Sequence, residues 1–338
     1  MASRSLLSSK QLFSSYFTRC YSGGGSALTN SEVRKRRNAL FNEEKERQLS
    51  HVTRVEKIKV EVQGPPDPCT LIMNKDLSTP YNCAMHIAEI LRKRSVLALV
   101  NSEPWDMHRP LVEDCTVEFL HFKDEDPKLS NEAFWRSGSF LLGHALEVAF
   151  KDNHYVELCS FPKPNITSGS FVHDVDLKFP DWEPTQTELR TISRIIAQLG
   201  HEDYHFERLS IDASKALDMF KDNRFKEQQI PSIAAQSESG NDVILYRMAD
   251  HIDISRGPMI SSTQHLARFN VAAVHDIESP EYGKLQRVQG IAIPMGLQTH
   301  FWTYEFLTQR AAEFNKSAQI PRAYTSHEET REAVSVAQ

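Results

Sequence analysis

The chain has 338 residues, of which 40% are hydrophobic and 25% charged, values typical of a globular protein with room for two domains. Its formal net charge of −6 excludes a strongly basic nucleic-acid binder, so any RNA contact must use local patches. No apolar run approaches the ~18 residues that span a bilayer, so no membrane span is expected. The cysteines are odd in number and form no Cys-x-x-Cys pair, which favours free thiols over disulfides or a zinc site.

Residues 1–21 differ in composition from the rest of the chain. They contain Arg4, Lys10 and Arg19 but no acidic residue, and serine is frequent. These features are typical of a mitochondrial transit peptide, and the residues around Tyr21 resemble a matrix-processing site with cleavage after that tyrosine. The alternative is a serine-rich tail of a cytosolic protein. We expect import into the mitochondrial matrix.

Residues 22–54 are predicted to form a charged helical extension. Thr29 and Glu32 have the spacing of a capping box, which would begin the helix. Basic residues follow at once: Arg34, Lys35, Arg36 and Arg37. Cations near a helix N-terminus are unfavourable because they oppose the helix macrodipole. This local cost favours a functional role, and the four residues are therefore candidates for contact with RNA phosphate. A solvated helix face is the alternative.

Residues 55–124 are predicted to form a small α+β domain. The expected strands cover Val55–Val62, Cys69–Asn74, Val96–Val100 and Cys115–Phe122. A single helix is expected from Thr79, its N-cap, through Pro80 to Arg94. This order of hairpin, helix and strands fits a β-grasp fold.

Residues 128–318 are predicted to form a larger α+β domain, and residues 323–338 a mobile polar tail. Helices are expected over Asn131–Phe150, from Pro184 to Leu199, after the cap Asp212, and over Gln298–Asn315. Strands are expected over Ser170–Leu177, Phe206–Ile211, Val243–Met248, Phe269–Ile277 and Val288–Ile293.

The small domain resembles the TGS module of threonyl-tRNA synthetases. The matching residues are Thr79–Pro80, Ala98–Asn101, Trp105–Met107, Arg109–Leu111 and His121–Asp124. TGS modules also occur in certain GTPases, but the sequence has no Gly-x-x-x-x-Gly-Lys-Ser/Thr loop to cradle a phosphate.

The larger domain resembles the editing domain of the same synthetases, most clearly in Phe134–Gly143, Phe206–Leu209 and Tyr246–Met259. In that family the first segment carries a His-x-x-x-His pair on a helix. The last carries a Cys and a His flanking an Arg-Gly-Pro turn. The corresponding positions here are Arg136, Phe140, Ser255 and Met259.

These four replacements remove the groups that editing chemistry needs. Hydrolysis of a mischarged ester requires a positioned water and groups that exchange protons near neutral pH. Arg136 stays protonated, while Phe140 and Met259 do not titrate. Ser255 has no evident base beside it. We therefore expect no enzyme activity, cofactor or small-molecule substrate. Arg136 could instead contact RNA phosphate or pair with a carboxylate.

Two histidine patterns imitate functional sites. His201 and His205 have the spacing of a helical metal pair. Gly200 precedes them and a strand is expected near His205, so no helix and no metal site are expected there. The pairs beginning at His173 and His275 lack a nucleophile motif and are expected to be polar strand residues.

A closer resemblance is to one mitochondrial large-subunit ribosomal protein family, number thirty-nine in the usual naming. It is carried by Asn38–Leu49, Phe134–Ser137 and Ile252–Pro258. The resemblance implies a structural, non-catalytic role in the mitochondrial large subunit, with ribosomal RNA and neighbouring ribosomal proteins as partners. Aminoacylation is not expected, because the synthetase catalytic core is missing from the sequence.

Two alternatives remain open. A free tRNA-binding or regulatory factor would keep the scaffold's recognition of RNA without chemistry. A trans-editing deacylase would need His or Cys at the four replaced positions.

Overall fold

The computed structural model describes residues 29–64, 67–179 and 182–323. The predicted transit peptide, residues 1–21, lies outside these ranges, as does the predicted tail beyond residue 323. Within the described ranges, no helix combines the length and apolarity needed to cross a membrane.

The first helix, α1 (Asn30–Ser50), begins where the sequence predicts. The Thr29 hydroxyl oxygen accepts a hydrogen bond from the backbone N–H of Glu32 at 3.2 Å, and the hydroxyl donates to the Glu32 carboxylate at 2.8 Å. The helix does not project into solvent: the Phe41 side chain is fully buried against the larger part of the protein.

The small unit is a five-stranded sheet with two short helices on it. Its strands are β1 (Lys57–Gln63), β2 (Cys69–Asn74), β3 (Leu97–Val100), β4 (Glu103–Trp105) and β5 (Cys115–Leu120). They lie in the order β2-β1-β5-β3-β4, with β1 and β5 parallel and the other pairs antiparallel. This central parallel pair, with a helical crossover, is the predicted β-grasp arrangement.

The helical crossover is in two pieces, although one continuous helix is predicted. Helix α2 (Pro80–Ile87) and helix α3 (Glu89–Arg94) are separated by Ala88, which is extended at φ −161° and ψ 141°. Beyond this break Leu91 enters the core of the small unit, so tertiary packing overrides the local helical preference.

The larger unit contains two sheets and five helices among its described residues. Its strands are β6 (Glu157–Ser160), β7 (Phe171–Asp176), β8 (Glu207–Asp212), β9 (Asp242–Met248), β10 (His251–Ile254), β11 (Leu266–Ser279) and β12 (Gly283–Pro294). They form a four-stranded sheet in the order β11-β12-β7-β6 and a three-stranded sheet in the order β10-β9-β8. Its helices are α4 (Lys128–Ala149), α5 (Gln186–Glu202), α6 (Ala213–Phe220), α7 (Arg224–Ala235) and α8 (Phe301–Ala312).

Helix α4 lies at the centre of the main core. It packs on β7 and β12, and Gly138 lets the Phe171 ring approach its backbone: a Cβ there would lie 2.8 Å from the Phe171 ring. The predicted α+β class is confirmed. Strands β4, β6 and β10 and helix α7 were not predicted, because three are short and α7 contains Pro231, which normally interrupts a helix.

Candidate functional site

The two segments that resemble the editing motif are in contact. Arg136, on α4, donates a hydrogen bond from Nη1 to the carbonyl of Pro258 at 2.7 Å. One residue later, the Ser137 hydroxyl oxygen accepts from the backbone N–H of Ile260 at 3.0 Å and lies 3.5 Å from the Met259 sulfur. The fold therefore retains the frame of the motif and brings its replaced positions into one region.

Two of the four positions that resemble editing positions hold buried apolar side chains. Phe140 is fully buried and packs edge-on against the rings of Phe206 and His251, at centroid distances of 5.7 and 4.6 Å. Met259 is buried in the same hydrophobic core. Neither side chain can exchange a proton, and both pack in the hydrophobic interior.

Ser255 is used in a turn. Its backbone N–H donates to the Ile244 carbonyl at 3.2 Å, and its hydroxyl oxygen accepts from the Gly257 N–H at 3.3 Å. Among the described residues, no imidazole or carboxylate is hydrogen-bonded to this hydroxyl. Ser255 therefore has a structural contact where a nucleophile or water-positioning group would need a base.

Asp106 of the small unit closes the region from the other side. Its carboxylate accepts hydrogen bonds from the Tyr246 hydroxyl at 2.8 Å and from the Met259 N–H at 2.9 Å. Arg208 approaches the same carboxylate at 4.0 Å. Burial raises the pKa of Asp106 and raises that of Tyr246 well above its usual value. Asp106 thus joins the two units through its hydrogen bonds to Tyr246 and Met259.

The Arg-Gly-Pro turn depends on its glycine. Gly257 has φ +68°, and a Cβ on it would lie 1.9 Å from the Tyr246 hydroxyl oxygen. Any side chain would therefore displace Tyr246 from Asp106. Burial lowers the pKa of nearby Arg136, but its guanidinium remains a cation and cannot serve as a base.

A buried ionic network that the sequence analysis missed lies behind Phe140. His251 Nδ1 is 2.6 Å from the Glu147 carboxylate, and Arg37 of α1 lies 3.1 Å from the other Glu147 oxygen. Burial alone raises the pKa of Glu147, but His251, Arg37 and Arg34 outweigh it and hold the pKa at about 2. The signal that could have been noticed is a carboxylate on the otherwise buried face of α4.

A second buried pair lies beside it. Lys226 Nζ is 2.5 Å from one oxygen of Asp253, and His173 Nε2 is 3.9 Å from the other. Burial lowers the pKa of His173 to about 4. No group of three or more His, Cys, Asp or Glu in the described ranges is arranged to hold a metal ion. The network is therefore an internal set of charge pairs.

The basic run on α1 is largely occupied by intramolecular contacts. Arg34 pairs with Asp250 at 2.9 Å and Arg36 with Asp222 at 2.5 Å, while Arg37 is buried against Glu147. Lys35 alone of the four is exposed. In this conformation Arg37 is not accessible to RNA, because its side chain is buried against Glu147.

His201 and His205 lie on either side of the C-terminal end of α5. The expectation of no helix at His201 is wrong: α5 continues through His201 to Glu202 and ends at Asp203, which has φ +53°. His205 lies beyond that end and stacks on His108 at 4.2 Å. The two histidines therefore do not share a helix face, because the left-handed residue redirects the chain between them.

Two cavities of the described residues lie away from the four positions that resemble the editing motif. One, of about 20 Å³, lies between Trp135, Phe171 and Asn315 and has room for little more than a water. An open groove of about 370 Å³ lies over Asp203–His205 and Arg247. Neither is lined by any of the four replaced residues.

Comparisons with known proteins agree with this geometry. The TGS domain family model matches residues 73–121. Threonine–tRNA ligase 2 of Bos taurus is 32% identical over 220 residues, which cover 64% of this chain and 28% of the ligase. A probable threonine–tRNA ligase 1 of Dictyostelium discoideum is 31% identical over 68% of this chain and 31% of its own length. The chain thus matches under a third of each ligase.

A ribosomal protein matches far more completely. Large ribosomal subunit protein mL39 of Drosophila melanogaster is 45% identical over 293 residues, which cover 86% of this chain and 86% of that protein. The shared region extends over nearly the full length of both proteins, unlike the partial matches to the ligases. The chain therefore belongs to the mL39 family of large ribosomal subunit proteins.

Proposed function

We propose that this chain is a non-catalytic structural component of the large subunit of the mitochondrial ribosome and supports translation in the matrix. The match to mL39 over 86% of both chains carries this proposal. The transit-peptide composition of residues 1–21 supports it independently. Amino-terminal sequencing of the mature protein should find cleavage after Tyr21.

The buried editing frame supports a role without chemistry. Phe140 and Met259 belong to the hydrophobic core, and Ser255 is bonded within its own turn. A purified chain should therefore not accelerate deacylation of mischarged tRNA. Measurable deacylation above the uncatalysed rate would favour the trans-editing alternative.

Ribosomal RNA and neighbouring ribosomal proteins are the proposed partners. Within the basic run Arg34–Arg37, Lys35 is the residue best placed for a phosphate, since the three arginines of the run have internal partners. Arg190 and Arg194 lie one turn apart on the exposed side of α5 and form no ion pair with any described residue. Like charges at this spacing destabilise a helix slightly, which favours a phosphate contact there.

Sedimentation of mitochondrial lysate tests the proposal. The chain, tagged at its C-terminus, is separated on sucrose gradients at moderate and at high salt. A component of the large subunit sediments with it at both salts. A free tRNA-binding factor remains near the top, and its tRNA binding weakens steeply with salt.

A further inference from the structure

Helix α8 is oriented with its large aromatic side chains toward solvent. Phe301, Trp302 and Phe306 are 63%, 70% and 66% exposed. The His300 side chain caps the helix by accepting from the Trp302 N–H, so the exposed rings stand on a regular, capped helix. We call these three residues the aromatic face of α8.

On the inward side of the same helix, the fully buried side chain is a small one. Ala311 is its one fully buried residue, packed with Ala272 and Ile291 of the sheet and flanked by Leu307. A surface helix normally turns its largest apolar residues toward the core and its small or polar residues outward. Here three large aromatic residues face outward instead, which is unfavourable for an isolated protein and typical of an interaction surface.

The surroundings of the face favour an apolar protein partner over nucleic acid. Glu305 lies beside the aromatic face, exposed between Trp302 and Phe306 and without an ion-pair partner in the described ranges. Two arginines near the face have intramolecular contacts: Arg268 stacks on Tyr304 at 5.1 Å, and Arg310 donates to the Thr167 carbonyl at 2.9 Å. A phosphate backbone would be repelled by the unpaired Glu305 carboxylate beside the exposed rings.

We propose that the aromatic face of α8 docks an apolar segment of a neighbouring large-subunit protein, with a basic residue of that segment opposite Glu305. Exposed Trp and Phe side chains are the kind of residue that dominates protein interfaces once they are desolvated. The exposed side chains of Met295 and Leu297, in the segment leading into α8, would extend the apolar contact. This inference rests on the proposed ribosomal function.

The test compares matched pairs of substitutions in the full tagged chain. The double variant Trp302→Ser, Phe306→Ser removes the aromatic face. The control pair Ile72→Ser, Ile90→Ser removes two side chains of similar exposure from the small unit. Circular dichroism and thermal unfolding first establish that each variant folds like the wild type, as exposed positions allow.

Each variant is then followed on sucrose gradients as a fraction bound to the large subunit. For the α8 pair we expect the fraction bound to the large subunit to fall about tenfold or more. The fall should be similar at both salt concentrations, since salt screens apolar contacts little. The control pair should bind like the wild type. Equal binding by both pairs, or equal loss by both, would overturn the inference.

A photo-crosslinking amino acid at position 306 identifies what covers the face. In purified large subunits the crosslinked product should be sensitive to protease and resistant to nuclease. A crosslink to RNA, or none at all, would overturn the inference. If the unmodified chain itself does not sediment with the large subunit, the proposed ribosomal function is wrong. If only the α8 pair fails to sediment as expected, the proposed function stands and the result concerns the aromatic face alone.

Discussion

At the scale of single residues, the positions that resemble the editing motif lie in the protein interior. Phe140 and Met259 pack in the hydrophobic core, and Asp106 enters from the small unit to accept two hydrogen bonds. Because these hydrogen bonds connect distant parts of the sequence, Asp106 should contribute strongly to the stability of the fold.

Replacing Asp106 with alanine should destabilise the fold by about 2–4 kcal/mol, because two buried donors, the Tyr246 hydroxyl and the Met259 N–H, would lose their acceptor. Urea denaturation measures the loss. The exposed Asp67→Ala is the control and should change stability by less than about 0.5 kcal/mol. Similar losses in both variants would contradict the assigned role of Asp106.

Acid should destabilise the folded state at pH values well above the pKa of its carboxylates. Burial lowers the pKa of four histidines to about 4: His108, His144, His173 and His265. A lowered pKa means that the folded state binds the proton less well than the unfolded state. The stabilising contribution is therefore complete above the unfolded pKa of about 6.5 and is lost as the pH falls toward 4.

Between pH 7 and pH 5 we expect the free energy of unfolding to fall by about 1–2 kcal/mol for each such histidine. Denaturant titrations at a series of pH values measure this slope. His265→Gln should make the slope shallower, whereas the exposed His86→Gln should leave it unchanged. An unfolding free energy that does not vary over this range would rule out neutral buried histidines.

At the scale of secondary structure elements, α1 shows how tertiary contacts change the meaning of a sequence pattern. A basic run at the start of a charged helix fits both RNA contact and a solvated face. Instead, Arg37 is buried against Glu147 of α4, and Phe41 lies in the core formed with α6 and β9. The partner acids lie more than a hundred residues away, so no local pattern reveals them.

Replacing Arg37 with alanine should detach α1 from α4. We expect a loss of about 2–3 kcal/mol, below the full cost of an unpaired buried charge because His251 still faces Glu147. Hydrogen exchange should rise along α1. Lys35→Ala on the same helix is the matched control and should leave exchange unchanged, since Lys35 is exposed. Equal protection of α1 in the two variants would contradict the docking.

The predictable elements are those with a strong local signal. Thr29 and Asp212 cap their helices as predicted, and β2 has the predicted bounds Cys69–Asn74. The break at Ala88 and the helix around Pro231 escaped prediction because packing outweighs local preference there. The motif positions were found from resemblance, whereas the pairing of Lys226 with Asp253 depends on tertiary structure.

At the scale of the whole molecule, the two units meet around the region that resembles the editing motif, and Val96, Leu97 and Phe122 of the small unit pack in the main core. The small unit contributes Asp106 to that region, and α1 contributes Arg37 to the network behind it. The extended match to mL39, compared with the partial matches to ligases, fits a scaffold used for assembly. The aromatic face of α8 is exposed in the isolated chain, and we propose that a neighbouring protein covers it.

Sedimentation of the tagged chain with mitochondrial large subunits, at moderate and high salt, tests the central claim most directly. The chain should comigrate with the large subunit at both salt concentrations, as an integral component does. Recovery at the top of the gradient under both conditions would contradict a structural role in the ribosome.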